Sequence, residues 1–319
     1  MINKSALSSF VTIGVLLCTK SALAADAPDE WLSRMTAALQ KASYAGTVIR
    51  TRSGDAEALK VVHKIDDGVV NEKVVVQEGS NLEIIRSGDE VHCILPETKS
   101  VIVEDWDDQS TIFSTLPTSD ISFSNEYDLS LVRVDRVAGR KAMLLAVRPH
   151  DEFRFGHRLW LDRATAFPLQ TELVAGDGTI LEQVKFADIN LESSISAEAL
   201  SPSVSLEDFT WRAARAKRVK LDIETGWVCD DLPPGFRLVS TKSEQLAGAE
   251  VSVTHIRYSD GLASVSVFIA QGQKKNKARR SNVGGSNAYS LQHADFQITA
   301  VGEVPAITVQ RIARSMRQR

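Results

Sequence analysis

Between Gly46 and Ile189 the chain is a succession of short alternating or β-branched runs, each closed by Gly, Asp, Asn or Pro. No other feature restricts the fold as much, because strand side chains repeat every second residue and short runs joined by turns form a meander. The first set is Gly46 to Thr51, Leu59 to Ile65, Lys73 to Gln77, Leu82 to Arg86, His92 to Leu95 and Lys99 to Val103. A second set, Lys141 to Arg148, His157 to Asp162, Leu169 to Val174 and Ile180 to Ile189, is punctuated by Ala138-Gly139-Arg140 and Ala175-Gly176-Asp177-Gly178. Tight Gly-containing turns join antiparallel neighbours. An antiparallel sheet can bury one face and curl, so the expected architecture is a large curved sheet with a few covering helices and an apolar hollow on its concave side. One helix is read near the start, where Trp31, Leu32, Met35, Ala38, Leu39 and Ala42 recur at helical spacing behind Asp29 as a cap.

Residues 1–24 read as a targeting segment. Lys4 gives a positive start, Ala6 to Cys18 is mostly apolar but too short to span a bilayer, and Ala22-Leu23-Ala24 is the small-x-small pattern that precedes cleavage. Leu17 stands where a small residue precedes a lipidated cysteine, which argues against an anchor at Cys18. After Ala24 no apolar run approaches the ~18 residues of a bilayer span, so the mature chain is expected in the periplasm. That compartment permits disulfides. Cys93 and Cys229 remain after cleavage, and the sequence leaves open whether they form a disulfide or stay as two thiols.

Charge divides the mature chain. Residues 25–210 hold 18 Lys/Arg and 32 Asp/Glu, a net of −14, whereas residues 211–319 hold 17 and 9, a net of +8. Such asymmetry indicates two units with different partners. The Ser/Pro cluster Leu200-Ser201-Pro202-Ser203-Val204-Ser205 marks the boundary, giving a β-rich domain over 25–203, a linker over 204–215 and a small α+β domain over 216–319. In the second domain Trp227 and the Leu232-Pro233-Pro234-Gly235-Phe236 turn lead into strands at Arg237 to Ser240, Glu250 to Tyr258 and Leu262 to Gln271, with Ser259-Asp260-Gly261 as a tight turn. A basic loop, a strand at Phe296 to Val301 and a terminal helix follow. Pro305 suits the first helical turn, and Val309, Ile312 and Met316 share one stripe.

Sequence patterns for common chemistry are missing: no phosphate-binding loop, dinucleotide fingerprint, G-x-S-x-G elbow or H-E-x-x-H occurs. The sequence therefore disfavours an enzyme and suggests neither metal nor cofactor. The histidines at 63, 92, 150, 157, 255 and 293 do not pair at ligand spacing, and Glu104, Asp105, Asp107 and Asp108 lack the alternation of a calcium loop. Arg148, Arg154 and Arg158, around Pro149-His150-Asp151-Glu152, read as a surface salt-bridge network. The strongest binding candidate is the run Lys274, Lys275, Lys277, Arg279 and Arg280, read as a flexible positive loop. Export argues against a nucleic-acid partner, so the counter-charge is expected on an acidic protein segment or a lipid phosphate.

The order of these pieces resembles a known family. Trp31-Leu32 with Met35, Tyr44-Ala45-Gly46-Thr47, His63, Asp67-Gly68, Glu72 and Glu83-Ile84-Ile85-Arg86 look like the amino-terminal domain of the RseB/MucB family of periplasmic sigma-E regulators. Tyr127-Asp128-Leu129, Val137-Ala138-Gly139-Arg140, Leu145-Ala146-Val147, Leu161-Asp162-Arg163, Pro168-Leu169 and Leu181-Glu182 continue the series. In the second domain it runs through Trp227, Leu232-Pro233, Gly235-Phe236, Tyr258-Ser259-Asp260-Gly261, Val301-Gly302-Glu303 and Arg311-Ile312-Ala313. The likeness covers nearly the whole mature chain and is nearer the pseudomonad branch.

The resemblance implies a LolA-like half-open barrel followed by a smaller domain, and no catalytic residues. It implies a negative regulator that binds the periplasmic part of a membrane-spanning anti-sigma factor and shields it from the site-1 protease. Lipid or lipopolysaccharide released by envelope damage weakens that grip. A second copy of the chain stays open as a partner. The competing expectation is a lipid or lipoprotein carrier of LolA type, for which a basic second domain has no evident use.

Overall fold

The computed structural model describes residues 27–319 apart from 106–115, 117–125, 192–193, 214–225, 246–251 and 273–276; at 104–105, 244–245 and 252 it describes the backbone only. The expected targeting segment, and the acidic cluster's Asp107 and Asp108, lie outside these residues.

Helix α1 (Pro28–Leu39) opens the chain. Its N-cap is Ala27, with no side-chain hydrogen bond, and not Asp29 as the sequence suggested; Asp29 instead lies in the first turn with Glu30, where acids complement the helix dipole. Two meanders follow. The first is β1 (Tyr44–Arg52), β2 (Asp55–Asp66), β3 (Val69–Val76), β4 (Glu83–Ser87), β5 (Glu90–Leu95) and β6 (Ser100–Asp105). The second is β7 (Tyr127–Val137), β8 (Arg140–Pro149), β9 (Gly156–Asp162), β10 (Pro168–Val174) and β11 (Ile180–Asn190). Antiparallel pairing of β1 with β11 fuses them into one sheet. Gly46 makes the seam possible: a Cβ there would stand 2.3 Å from the Asp188 carbonyl oxygen.

The large sheet has twelve strands in the order β12-β6-β5-β4-β3-β2-β1-β11-β10-β9-β8-β7, and it is not a closed barrel. The face expected to be hollow is packed, among the described residues, by Trp31, Leu32 and Met35 of α1 and by Leu116. Tyr44 meets Phe167 and Phe186 there at ring-centroid separations of 4.9 and 5.8 Å. Phe167 and Phe186 are 1% and 0% exposed, so truncating either to Ala removes about 3–5 kcal/mol.

The Ser/Pro segment after β11 is fastened to the sheet. The Lys73 ammonium donates to the Ser201 carbonyl at 2.6 Å and to Ser203 Oγ at 2.7 Å, while the Ser203 N–H donates to Glu83 at 3.0 Å. Lys73 and Glu83 are buried and 3.5 Å apart, so each compensates the other's desolvation. The chain then adds β12 (Thr210–Ala213) parallel to β6, at the edge of the sheet.

The second domain comprises β13 (Trp227–Cys229), β14 (Arg237–Gln245), β15 (Ser252–Ser259), β16 (Ser264–Gln271), β17 (Arg279–Val283), β18 (Ser286–His293), β19 (Phe296–Gly302), α2 (Ala306–Ser315) and β20 (Met316–Gln318). Six of these strands form a sheet in the order β14-β15-β16-β19-β18-β17, and β13 pairs with β20. Val309, Ile312 and Ala313 bury one face of α2 against this sheet's core. Met316, expected on the helical stripe, is 2% exposed but lies in extended backbone (φ −70°, ψ 130°), where it opens β20. The stretch expected as a basic loop also differs. Arg279 and Arg280 belong to β17, and the unforeseen β17–β18 hairpin turns at Gly284-Gly285.

Candidate functional site at the domain junction

Among the described residues, the polar contacts between the domains gather in two places. The first is built by the β15–β16 turn, where Gly261 sits at φ 105° and lets Asp260 fold back on itself. One Asp260 carboxylate oxygen accepts the N–H groups of Leu262 and Ala263 at 2.9 and 2.8 Å. The other accepts the Tyr127 hydroxyl at 2.9 Å and Arg154 Nε at 2.5 Å, both from the first domain. Arg154 also donates to Asp151 and to the Pro234 carbonyl oxygen. Its guanidinium carbon lies 5.6 Å from the Tyr127 ring centroid and 5.0 Å from that of Phe236.

Both charges of this hub are enclosed, with Arg154 2% and Asp260 1% exposed. Burial disfavours the Arg154 cation, but Asp260 and Asp151 outweigh it and raise its pKa. Burial, with the Asp260 charge beside it, also holds the Tyr127 hydroxyl protonated far above its ordinary range. The sequence reading placed Arg154 in a surface salt-bridge network. The structure corrects this: the β8–β9 connection carries Arg154 into the junction, where Thr308 of α2 donates to the Phe153 carbonyl at 2.7 Å. Arg158, of the same triplet, pairs with Glu172 at 3.3 Å. Next to the hub, His157 is pushed down to about 4 by burial, an effect the nearby Asp260 only partly offsets.

The second contact lies at the tips of two hairpins. Gly284 N–H donates to Ser53 Oγ at 3.0 Å. Backbone and side chain meet so closely that a Cβ on Gly284, at φ 56°, would stand 2.6 Å from Arg52 Cγ. Arg52 in turn grips Glu182 through two hydrogen bonds of 2.9 and 3.1 Å. Glu303, just after β19, faces this pair. Burial and the Glu182 charge push its carboxyl up to about 7, against the opposing pull of Arg52.

The five cations singled out in the sequence meet the structure unevenly. Lys274 and Lys275 lie outside the described residues. Lys277, Arg279 and Arg280 are exposed, and Arg280 donates to Gln310 of α2 at 2.8 Å. Cys93 and Cys229 are not bridged to each other. Cys93 lies on β5 of the large sheet, and Cys229 Sγ lies 3.0 Å from Ser315 Oγ in the second domain. No group of three or more His, Cys, Asp or Glu poised for a metal occurs among the described residues, and none of their helices is long and apolar enough to cross a membrane.

An enclosed polar clasp holds together a β-rich chain of two domains, the second of which has an exposed edge strand that carries Arg279 and Arg280. The model of the MucB/RseB N-terminal domain matches residues 27–204 and that of the MucB/RseB C-terminal domain matches residues 222–317. The chain therefore belongs to the MucB/RseB family. The sigma factor AlgU regulatory protein MucB of Pseudomonas aeruginosa is 31% identical over 317 residues, which span 97% of this chain and 96% of that protein. The solved complex of Pseudomonas aeruginosa MucA and MucB superposes with a TM-score of 0.70 at 30% identity, covering 92% of this chain and 99% of that one. A crystal structure of MucB in complex with MucA(peri) gives a TM-score of 0.69 at 29% identity, with the same coverages.

Proposed function

We propose that this chain is a periplasmic negative regulator of an envelope-stress sigma factor. It holds the periplasmic part of a membrane-spanning anti-sigma factor, shields that segment from the site-1 protease, and releases it when lipid or lipopolysaccharide binds. The observation that carries this reading is the near full-length likeness to a MucB solved with MucA(peri), which extends through both domains.

The electrostatics support the same reading. The second domain's excess of positive charge suits an acidic segment or lipid phosphate. Lys274, Lys275, Lys277, Arg279 and Arg280 supply these contacts. An acyl chain reaching the apolar face of the large sheet would displace the packing of α1 and Leu116 that covers it. Release by lipid requires that lipid bind the released form better than the holding form, because a ligand moves an equilibrium only by its differential affinity.

The test is titration calorimetry of the mature protein against the periplasmic segment of the anti-sigma factor from the same genome, across a salt series and with a lipid A-type ligand. Binding that weakens with salt, weakens when the five cations become Ser, and weakens when lipid is added supports the reading. Absence of binding in every condition overturns it.

A further inference from the structure

Sheet edges carry unpaired N–H and C=O groups, and proteins usually blunt them with bulges, twist, short length or charge. Besides β12, which has four residues, the two larger sheets have three edge strands. In the large sheet β7 carries a bulge between Leu131 and Arg133, and in the small sheet β14 carries one between Leu238 and Ser240. The β17 edge pairs with β18 in unbroken register, and all five of its residues are exposed. Val283 is 63% exposed, the highest value for a large hydrophobic side chain among the described residues.

The hairpin geometry fixes which backbone groups face outward. With a two-residue turn at Gly284-Gly285, Val283 and Ser286 form the hydrogen-bonded pair nearest the turn. Bonded and non-bonded pairs alternate in an antiparallel ladder. Ser281 and Arg279 therefore also bond to β18, while Arg280 and Asn282 direct N–H and C=O away from it. The side chains sort by face as well. Arg280 reaches Gln310 and so lies on the α2 side, where Arg314 donates to the Tyr289 hydroxyl; Arg279 and Val283 lie on the opposite side.

We propose that β17 is a docking edge onto which an extended acidic segment of the anti-sigma partner adds as a seventh strand of the small sheet. This deepens the function proposed above and rests on it. Main-chain bonds to Arg280 and Asn282 supply the pairing, as in other cases of strand addition. Arg279 and Arg280 on opposite faces, with Lys277 beside them, select carboxylate side chains on both faces of the incoming strand. Val283 takes an apolar residue at one end. These cations blunt the edge against neutral or basic strands and leave it open to an acidic one. Because the β17–β18 tip touches Ser53 of the first domain, the added strand would begin at the domain junction.

The experiment compares the unaltered full mature chain with Asn282→Pro, which deletes one outward N–H, and Asn282→Ala, which retains it. Calorimetry with the anti-sigma periplasmic segment is expected to show affinity at least ~10-fold weaker for Asn282→Pro, with a far smaller loss for Asn282→Ala. Hydrogen exchange on the unaltered chain provides a readout independent of the variant's folding: the Arg280 and Asn282 amides are expected to slow when the segment is added. Equal affinity of Asn282→Pro and the unaltered chain, or unchanged exchange at both amides while the segment binds, overturns strand addition but leaves the regulator reading standing. Protection of these amides by anionic phospholipid vesicles and not by the segment assigns the edge to a lipid surface and overturns the proposal. Failure of the unaltered chain to bind the segment overturns both.

Discussion

The two contacts between the domains are built on opposite electrostatic terms. At Arg154 and Asp260 two opposite charges are sealed from water; Asp260 accepts four hydrogen bonds, and Arg154 donates to Asp260, Asp151 and the Pro234 carbonyl. At Arg52, Glu182 and Glu303 one cation faces two carboxyls, and the cation side chain is 39% exposed. Removing one partner of a sealed pair leaves a buried charge and is costly, while partly solvated contacts are screened and worth less. The first contact therefore fixes how the domains meet. The second is partly solvated, and burial with the Glu182 charge raises its Glu303 carboxyl to about 7.

The comparison breaks first, and most severely, at Asp260. Asp260→Ala leaves Asp151 as the carboxylate partner of the enclosed Arg154 cation and frees the Tyr127 hydroxyl, with an expected cost of about 3 kcal/mol. Urea unfolding followed separately by Trp160 of the first domain and Trp227 of the second should then show two transitions where the unaltered chain shows one. A single transition at the original midpoint would remove the hub from its assigned role.

At the other contact, Gly284→Ala imposes a left-handed backbone on a residue with a side chain and drives its Cβ into Arg52. About 1–3 kcal/mol is expected from the strain, visible as a lowered Tm. The losses from Gly284→Ala and Arg52→Ala should be less than additive, since Arg52→Ala removes the Cγ and Cδ that the new Cβ would meet.

The pH response sharpens the comparison further. A carboxyl whose pKa is raised in the folded chain stabilises that state fully below its unfolded value, and this stability is lost as pH rises toward about 7. Glu303 thus favours the folded chain on acidification, by at most ~1.4 kcal/mol per pH unit. His157 acts in the opposite sense. Its imidazole is depressed to about 4, so its contribution is complete above its unfolded value and is lost as pH falls toward 4. In Glu303→Gln, stability measured from pH 4 to pH 8 should fall on acidification below the ordinary histidine value of 6.5, with the compensating rise of the unaltered chain gone. A Glu303→Gln profile that superposes on the original would show that Glu303 does not titrate with folding.

The smallest effect is expected at Arg311 and Asp231, an exposed bidentate pair with bonds of 2.6 and 3.0 Å. Arg311→Ala should cost about 1 kcal/mol or less by urea denaturation. A loss as large as that of Asp260→Ala would contradict the distinction between enclosed and solvated contacts.

The sequence was informative wherever burial imposes a period. Most strands of the two meanders, α1 and α2 carry alternating or helical apolar spacing because one face of each enters a core, whereas β7, whose burial does not alternate, was not read as a strand. The β17 strand has no such signal. Arg279, Arg280, Ser281 and Asn282 are polar on both faces, and an edge strand exposed throughout has no reason to alternate. The hub was hidden for a different reason. Arg154 stands among charged residues at a turn, and its partner Asp260 is 106 residues away in the chain, so its charge and its place in a turn do not by themselves separate it from a surface arginine. Phe153 and Phe155 on either side of it are the signal that was present, since two aromatic residues flanking an arginine in a charged turn mark a segment that enters a core. The parallel pairing of β12 with β6 was likewise unreadable, because four residues of mixed character carry no register.

The central claim is that this chain holds an anti-sigma segment out of reach of its protease. The most direct measurement is the rate at which the site-1 protease cleaves the periplasmic segment of the anti-sigma factor from the same genome, with and without saturating mature protein. The account predicts that cleavage is suppressed and that a lipid A-type ligand restores it. Cleavage at the same rate in the presence and absence of the protein would contradict it.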